Sequence, residues 1–323
     1  MNSARLLARV VAIGMIGGGT SMLFSQTAHA DDTVLGPLAG SDTAIILGGT
    51  FESTPSTTFA QSAEDLYLHP LGFDDGATSS TVCDMVGTDP CAAPLQVLTT
   101  PELIQQGPSS ITAADDVTLA VENEFTANPG AFSASDPLTI FGYSQSATAE
   151  SIAMTQLEAD GIPSSDLHFV FIGDPSLADT GVWPNLVPDL DSLFGTSVTN
   201  TLLTDLGFDG VLGNVTPDDL YPTTIYSLDG DGVAQFQQDF ESGGLLGPIE
   251  GLFTTHAEYL GLTPAEIADA TTTTNDLLTY VDIPDNFNNA DAWLSAVFEH
   301  GAAGSGLLES VFQSLEFYLT NSF

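Results

Sequence analysis

One short stretch of the chain predicts a strand, a sharp turn and a helix, with a serine at the turn. Leu138–Phe141 is an apolar, β-prone run that stops at Gly142, and Ser144 follows two residues later. The next segment, Gln145–Ala159, is rich in small, helix-compatible residues. This is the layout of a nucleophile elbow, in which a strained turn exposes a serine hydroxyl at the edge of an α/β sheet.

The elbow departs from its general form at one position. The pattern Gly-x-Ser-x-Gly reads Gly142-x-Ser144-x-Ser146 here, with a small residue still present where strand and helix approach closely. The alternative is an ordinary turn between a strand and a helix, whose small residues only allow close packing. The pattern alone is weak, so the remaining residues must decide between the two interpretations.

Apolar runs alternate with helical patterns along the rest of the chain. Strands are predicted at Thr43–Leu47, Leu95–Leu98, Leu138–Phe141, His168–Ile172 and Thr223–Leu228. Helices are predicted at Val117–Phe125, Gln145–Ala159 and Ile249–Leu262, with two amphipathic helices within 288–323. This alternation predicts a mostly parallel central sheet flanked by helices, in one domain over residues 31–323. Ser176–Pro222 shows no clear period and is predicted to be a lid-like insertion, with a surface excursion as the alternative.

The first residues have the features of a secretory signal peptide. Arg5 and Arg9 flank the start of an apolar run, and the segment ends at Ala30 in a small-x-small cleavage pattern. An uncleaved anchor is the alternative, although the apolar run is short for a membrane span. We therefore expect residues 1–30 to be removed and the mature protein to be secreted or held in the cell envelope.

Positive charge is almost absent from the chain. It has 2 basic and 43 acidic residues, and the two basic residues are Arg5 and Arg9. The remainder has no lysine or arginine to neutralise phosphates, which excludes nucleic-acid binding and a P-loop. Any buried carboxylate must instead be satisfied by backbone N–H groups, hydroxyls, histidine or a metal.

The two cysteines of the chain, Cys83 and Cys91, are close in sequence. In a secreted protein, an even number of cysteines at short spacing predicts a local disulfide. Two cysteines alone make a poor metal site. We expect a disulfide here, and neither a metal nor another cofactor.

A serine nucleophile needs a base to take its proton and an acid to orient the base. In α/β-hydrolases these follow the serine in the order acid, then histidine. Asp229 and Asp231 come just after the strand Thr223–Leu228, and position alone does not separate them. The glycines between them could also form a calcium loop, but Val233 and Ala234 break the EF-hand pattern.

Two histidines follow these acids. His256 lies in a predicted helix, where a histidine often has only a structural role, but its place in the chain order favours it as the base. His300 is the reserve candidate, although it ends an amphipathic helix next to Gly301, as a partner of the helix dipole would.

Acyl transfer also needs hydrogen-bond donors for the oxyanion. In α/β-hydrolases one donor is the backbone N–H of the residue after the nucleophile, here Gln145. Gly48-Gly49-Thr50 follows the first strand and suits the second donor, since glycines let the backbone approach the substrate closely. Thr50 and Gln145 are therefore the predicted oxyanion-hole residues.

Several segments resemble the PE-PPE domain of mycobacterial serine hydrolases, a family related to the cutinases. In the family's order they are Ile46–Thr50, Leu98–Glu102, Gly142–Ala147, Gly173–Pro175, Tyr221–Thr224 with Asp231-Gly232, and His256. The family accepts serine at the position of Ser146. It also favours Asp231 over Asp229, because Asp231 precedes a glycine as in the family's Asp-Gly segment. The resemblance implies an α/β-hydrolase fold and a triad of Ser144, Asp231 and His256.

The same resemblance implies a secreted, lipase-like serine esterase that acts on carboxylic esters through an acyl-enzyme. Without cationic side chains, neutral esters are the more suitable substrates. Stand-alone members of the family include acyltransferases that build trehalose glycolipids of the mycobacterial envelope, so acyl transfer is the alternative function. A non-catalytic envelope protein is the third. The expected partners are an ester or glycolipid substrate and, peripherally, the envelope.

Overall fold

Eight strands form the centre of the fold in the computed structural model, which describes residues 36–74, 76–285 and 290–299. They are β1 (Ala44–Ile46), β2 (Val82–Asp84), β3 (Leu95–Val97), β4 (Leu138–Tyr143), β5 (Leu167–Ile172), β6 (Thr223–Leu228), β7 (Thr271–Asn275) and β8 (Leu278–Ile283). Their order in the sheet is β2-β3-β1-β4-β5-β6-β8-β7, and the pairing is parallel except between β7 and β8. The predicted α/β-hydrolase fold, with its mostly parallel sheet, is confirmed.

Helices flank this sheet. Those in the described part of the chain are α1 (Thr57–Ala63), α2 (Gln106–Ala127), α3 (Gln145–Ala159), α4 (Val182–Phe194), α5 (Thr196–Asp205), α6 (Phe236–Gly243), α7 (Leu246–Phe253), α8 (Pro264–Ala268) and α9 (Ala290–Glu299). None of them is both long enough and apolar enough to cross a membrane.

The core lies on both faces of the sheet, because successive strand residues point to opposite sides. Ile45 and Ile140 pack in the cluster that contains the apolar residues of α2 and α3. Ile46 and Phe141 pack in the other cluster, with the buried face of α1. All four side chains are fully buried. Burial on both faces explains why these strands appear in the sequence as continuous apolar runs.

The predicted single helix Ile249–Leu262 is wrong. α7 ends at Phe253, and two short 3-10 turns follow at Thr255–Ala257 and Tyr259–Gly261. The hydroxyl of Thr254 donates to the carbonyl of Glu250, an i−4 bond of the kind that bends helices. The break places His256 in a 3-10 turn rather than inside a helix.

The sequence analysis missed three strands: β2 and β7, which are short or polar, and β8, which is neither. β2 has three residues, and all five residues of β7 are exposed. Some predictions fall outside the described residues: the signal peptide at 1–30, the second tail helix and His300. The first tail helix corresponds to α9.

Two insertions follow the strands that lead to the candidate site. The first, predicted as the lid-like segment Ser176–Pro222, contains α4 and α5, and the second contains α6 and α7 between β6 and β8. Buried apolar side chains from both insertions form a hydrophobic cluster separate from the two core clusters: Trp183, Leu186, Leu190, Leu203, Val211 and Phe236. The insertions therefore pack on each other as well as on the sheet.

A disulfide joins Cys83 in β2 to Cys91 in the loop before β3. The predicted pairing is confirmed. It links residues eight apart and so closes a small loop at the edge of the sheet.

Candidate active site

Ser144 lies at the sharp turn between β4 and α3. Its backbone has φ 57° and ψ −113°, a strained conformation for a residue with a side chain. Gly142 is required before it, because a Cβ there would lie 2.5 Å from Oε1 of Glu150. Ser146 Oγ accepts from the N–H of Tyr143 (2.8 Å) and donates to its carbonyl (3.1 Å), so serine closes this turn by its hydroxyl.

The three residues predicted as a triad lie side by side. Ser144 Oγ is 2.8 Å from Nε2 of His256, and Nδ1 of His256 is 2.8 and 2.9 Å from the two carboxylate oxygens of Asp231. Because an ionised carboxylate only accepts hydrogen bonds, Nδ1 carries the proton and Nε2 can accept the serine hydrogen. Asp229 is exposed in the same turn. The arrangement can pass a proton from Ser144 to His256.

Asp231 is buried but surrounded by donors. Its Oδ1 accepts from the N–H groups of Val233 (2.8 Å) and Ala234 (3.2 Å), and its Oδ2 accepts from the hydroxyl of Tyr259 (2.7 Å). Burial alone would raise the pKa of Asp231, but the charge and hydrogen bonds of His256, with the other donors, hold it below its ordinary value. The carboxylate therefore stays ionised inside the protein.

Two tyrosines and a glycine hold His256 in place, and the sequence analysis gave none of the three this role. Tyr143 donates to the carbonyl of His256 (2.6 Å), with the two ring centroids 5.4 Å apart. Tyr259 accepts the N–H of Leu228 (2.9 Å) while it donates to the acid. Gly173 has φ +60°, and a Cβ there would lie 2.8 Å from Cε1 of His256. Tyr259 could have been found from its place three residues after His256.

The predicted oxyanion-hole residues touch each other. Thr50 Oγ1 donates to Oε1 of Gln145 (3.0 Å) and accepts from Nε2 of Gln106 (3.0 Å). Gln145 begins α3, so its backbone N–H has no acceptor within the helix and is available to a ligand. Phe51, next to Thr50, has φ 71°, and its N–H donates to the carbonyl of Glu102 (2.7 Å). The turn is thus held in a strained form beside Ser144.

Three further carboxyl groups are buried near the site. Burial raises the pKa of Glu52 to about 7 and that of Glu102 to about 8, and it raises the pKa of Glu150 well above 4.5. Both oxygens of Glu150 lack a hydrogen-bond partner. Protonation therefore accommodates Glu102 and Glu150 at neutral pH, and Glu52 below about pH 7, a solution that the sequence analysis did not consider.

A cavity of about 430 Å³ lies against Ser144 and His256. Its lining is predominantly apolar and comes from both insertions and from α9, including Trp183, Leu186, Phe208, Val233, Phe236, Leu252, Phe253, Trp293 and Ala296. Ligand pockets of this kind bury apolar groups and orient them by a few polar ones. The site can therefore hold an apolar group next to the serine.

One cluster among the described residues has side chains placed to share a metal ion. Glu64, Asp65 and His69 bring their ligand atoms within 4.8 Å of one another. Glu64 already accepts from the backbone N–H of Ser80 (3.2 Å) and from its hydroxyl. The cavity beside Ser144 is not lined by Glu64, Asp65, His69 or Ser80.

Comparison with known proteins places this chain in a family. The sequence profile of the PE-PPE domain matches residues 91–282, more than half of the chain. The chain belongs to the PE-PPE domain family. The segment Ile46–Thr50 lies before the matched range, while Ser144, Asp231 and His256 lie within it.

Two curated relatives come from Mycobacterium tuberculosis. The uncharacterized PPE family protein PPE28 is 30% identical over 236 residues, which cover 72% of this chain and 31% of PPE28. Esterase PE16 is 29% identical over 267 residues, which cover 76% of this chain and 44% of PE16. The chain therefore spans less than half the length of either relative.

Among solved structures, a cutinase-like protein from Cryptococcus sp. is 17% identical with a TM-score of 0.36. The aligned region covers 69% of this chain and 95% of that protein.

Proposed function

We propose that this PE-PPE domain is a serine hydrolase of neutral carboxylic esters. The observation that carries the proposal is the contact chain from Ser144 Oγ through both ring nitrogens of His256 to Asp231, at 2.8–2.9 Å. It starts from a serine held on a strained turn at the end of a parallel strand. The relative named Esterase PE16 supports the same class of activity.

In the proposed reaction, Ser144 Oγ attacks the ester carbonyl carbon while His256 Nε2 takes the hydroxyl proton. The charge that develops on the carbonyl oxygen is stabilised by the N–H of Gln145 and by the turn at Thr50. The C–O bond to the alcohol then breaks, and His256 returns its proton to the leaving alkoxide. Asp231 keeps Nδ1 protonated and stabilises the imidazolium that forms between these steps.

Water completes the cycle by attacking the acyl-enzyme. Its proton goes to His256 Nε2. The bond between Ser144 Oγ and the acyl carbon then breaks to release the acid, and His256 returns the proton to Ser144 Oγ. No lysine or arginine occurs beyond Arg9 to hold an anionic group, and Glu52 lies in the cavity, so neutral esters suit the site best.

Acyl transfer to a sugar hydroxyl is the second candidate. Two observations favour it: the cavity lining is predominantly apolar, and His256 is only 4% exposed. Both limit the access of water to an acyl-enzyme. Incubation with a trehalose ester and free trehalose distinguishes the two, because a transferase yields disproportionated trehalose esters while a hydrolase yields free acid. Secretion after removal of residues 1–30, with peripheral association with the envelope, completes the proposal.

Covalent labelling with a fluorophosphonate tests the nucleophile directly. We expect the label on Ser144 in the full protein, with loss of labelling and of p-nitrophenyl ester hydrolysis in Ser144→Ala. Ser146→Ala is the matched control, because that hydroxyl lies in the same turn but is bonded to Tyr143. It should still be labelled. A folded protein that resists the label, or full activity in Ser144→Ala, would refute the proposal and leave a non-catalytic envelope role.

A further inference from the structure

A tyrosine outside the cavity lining is bonded to the segment that carries His256. Tyr67 and Tyr259 are both fully buried, and the hydroxyl of Tyr67 donates to the carbonyl of Tyr259 (2.5 Å), 192 residues further along the chain. Burial raises the pKa of Tyr67 well above its ordinary value, so this hydroxyl keeps its proton and remains a donor. Neither tyrosine lines the cavity beside Ser144. Any effect of Tyr67 on the reaction must therefore pass through another residue.

Tyr259 connects the segments that carry the acid and the base. It lies three residues after His256, at the start of the second 3-10 turn. Its hydroxyl accepts from the N–H of Leu228 at the end of β6 (2.9 Å) and donates to Oδ2 of Asp231 (2.7 Å). The bond from Tyr67 holds the backbone of the same residue. Tyr259 is thus held at both ends, and it ties the turn of Asp231 to the turn of His256.

The backbone around Tyr67 forms a π-helical turn. α1 continues directly into this turn, Glu64–Leu68, and the N–H of His69 donates to the carbonyl of Glu64, five residues earlier. Such turns are rare and are frequent at functional sites. Oε2 of Glu64 also accepts from the N–H of Ser80 (3.2 Å), which ties the turn to the chain that leads into β2. Tyr67 therefore reaches Tyr259 from a segment that is itself braced.

We propose that Tyr67 is a positioning residue for the triad, acting through Tyr259 on Asp231 and His256. This rests on the proposed function. Without the bond from Tyr67, the backbone of Tyr259 loses an anchor, and its hydroxyl is held less firmly against Asp231. Donors that are fixed in advance favour the chemical step, so their loss lowers its rate and leaves substrate binding unchanged. Tyr67 lies before residues 91–282, so the match to the family profile does not include this contact.

A double-mutant cycle tests whether Tyr67 acts through Tyr259. In Tyr67→Phe, kcat for a neutral p-nitrophenyl ester should fall about three- to tenfold, the effect of one hydrogen bond, with little change in KM. In Tyr259→Phe, the hydroxyl that reaches Asp231 is already absent, so adding Tyr67→Phe should lower kcat by less than about twofold more. Effects that multiply in the double variant would show that Tyr67 acts independently of Tyr259 and would overturn the proposal.

Tyr226→Phe is the matched control. Tyr226 is buried against Tyr67, with the ring centroids 4.9 Å apart, but its hydroxyl is not among the described hydrogen-bond partners of Tyr259. This variant also removes one buried hydroxyl, and we expect it to leave kcat unchanged. An equal fall of kcat in Tyr226→Phe and Tyr67→Phe would indicate a general loss of packing and overturn the proposal. Thermal unfolding checks that both variants are folded at the assay temperature.

NMR separates a failure of this proposal from a failure of the proposed function. The proton between Nδ1 of His256 and Asp231 can be followed without substrate in protein that contains 15N-labelled histidine. Its resonance should move in the same direction in Tyr67→Phe and Tyr259→Phe and stay in place in Tyr226→Phe. This result with a wild type that resists the fluorophosphonate keeps Tyr67 as the support of the pair and refutes the esterase. A labelled wild type with an unmoved resonance in Tyr67→Phe does the opposite.

Discussion

The buried carboxyl group of Glu102 predicts that this protein loses stability as the pH rises. Glu102 is 1% exposed, one of its oxygens accepts from the hydroxyl of Thr100 (2.8 Å), and the other has no partner. Burial raises its pKa from 4.5 to about 8. The folded state thus keeps a proton that the unfolded chain releases above about pH 4.5. The stabilisation is complete below that pH and is lost as the pH rises towards 8.

The magnitude follows from the two pKa values. At about 1.4 kcal/mol for each pKa unit, the interval from 4.5 to about 8 corresponds to about 5 kcal/mol. Relaxation around an ionised carboxylate lowers this cost, so we expect Glu102 to remove about 2–5 kcal/mol of folding free energy between pH 4.5 and pH 8. Losses of this size are a large fraction of the stability of a typical domain.

Urea unfolding of Glu102→Gln at constant ionic strength measures the effect, because glutamine has nearly the shape of the protonated acid. The variant and wild type should have similar stability at pH 4.5 and differ by about 2–5 kcal/mol at pH 8, with the variant the more stable. Glu158→Gln, at an exposed position in α3, removes the same charge and should not open this gap. Parallel pH dependences for Glu102→Gln and wild type would refute the reasoning.

Three shorter predictions concern the site and the charge. Tyr259→Phe removes the hydroxyl that donates to Asp231, so kcat should fall about tenfold with little change in KM, as steady-state kinetics would show. Gly142→Ala should destabilise the fold by about 1–3 kcal/mol, because the added methyl group meets the side chain of Glu150. Gly243→Ala is the control, because its methyl group meets nothing within 4 Å, and it should not destabilise the fold. Thermal unfolding of both variants tests this. The formal charge of −41 predicts a melting temperature that rises with sodium chloride; an unchanged temperature across a salt series would contradict it.

The parts of the fold that the sequence predicts well are those in which local pattern and burial agree. β6 and α3 have the bounds that the sequence indicates, because each combines a buried face with a clear start. β7 (Thr271–Asn275) has no buried face, so its sequence does not indicate a strand. It is held by antiparallel pairing with β8, and no local sequence pattern reveals that pairing. Edge strands of this kind depend on a partner, so the sheet's width could not be predicted.

In the candidate site, too, the residues indicated by local sequence pattern could be predicted, and those that depend on contacts distant in sequence could not. Ser144, Asp231 and His256 could be predicted because turn chemistry and chain order point to them. Tyr143 and Gly173 could not, because their roles depend on where His256 lies in space. The sequence predicts one continuous helix through His256, which gives the imidazole the wrong direction. In the structure the helix ends at Phe253, and His256 lies in the 3-10 turn that follows.

Asp231 and Glu52 are both buried in this site, but only Asp231 has enough hydrogen-bond donors to stay ionised. Asp231 stays ionised because four groups donate to it, whereas Glu52, which lines the same cavity, has a buried oxygen without a partner and a pKa of about 7. Below pH 7 the carboxyl group of Glu52 is neutral beside the turn at Thr50. Above it, the new negative charge opposes the oxyanion that forms there.

Hydrolysis should therefore decline above about pH 7 in the wild type, and Glu52→Gln should keep its activity to higher pH. The profile of kcat/KM against pH for a neutral p-nitrophenyl ester measures this. Glu250→Gln, an exposed position in α7, controls for the loss of one negative charge and should behave as the wild type. The same alkaline decline in Glu52→Gln and wild type would show that Glu52 does not act on the oxyanion, because a glutamine at this place cannot ionise and so cannot supply the opposing charge.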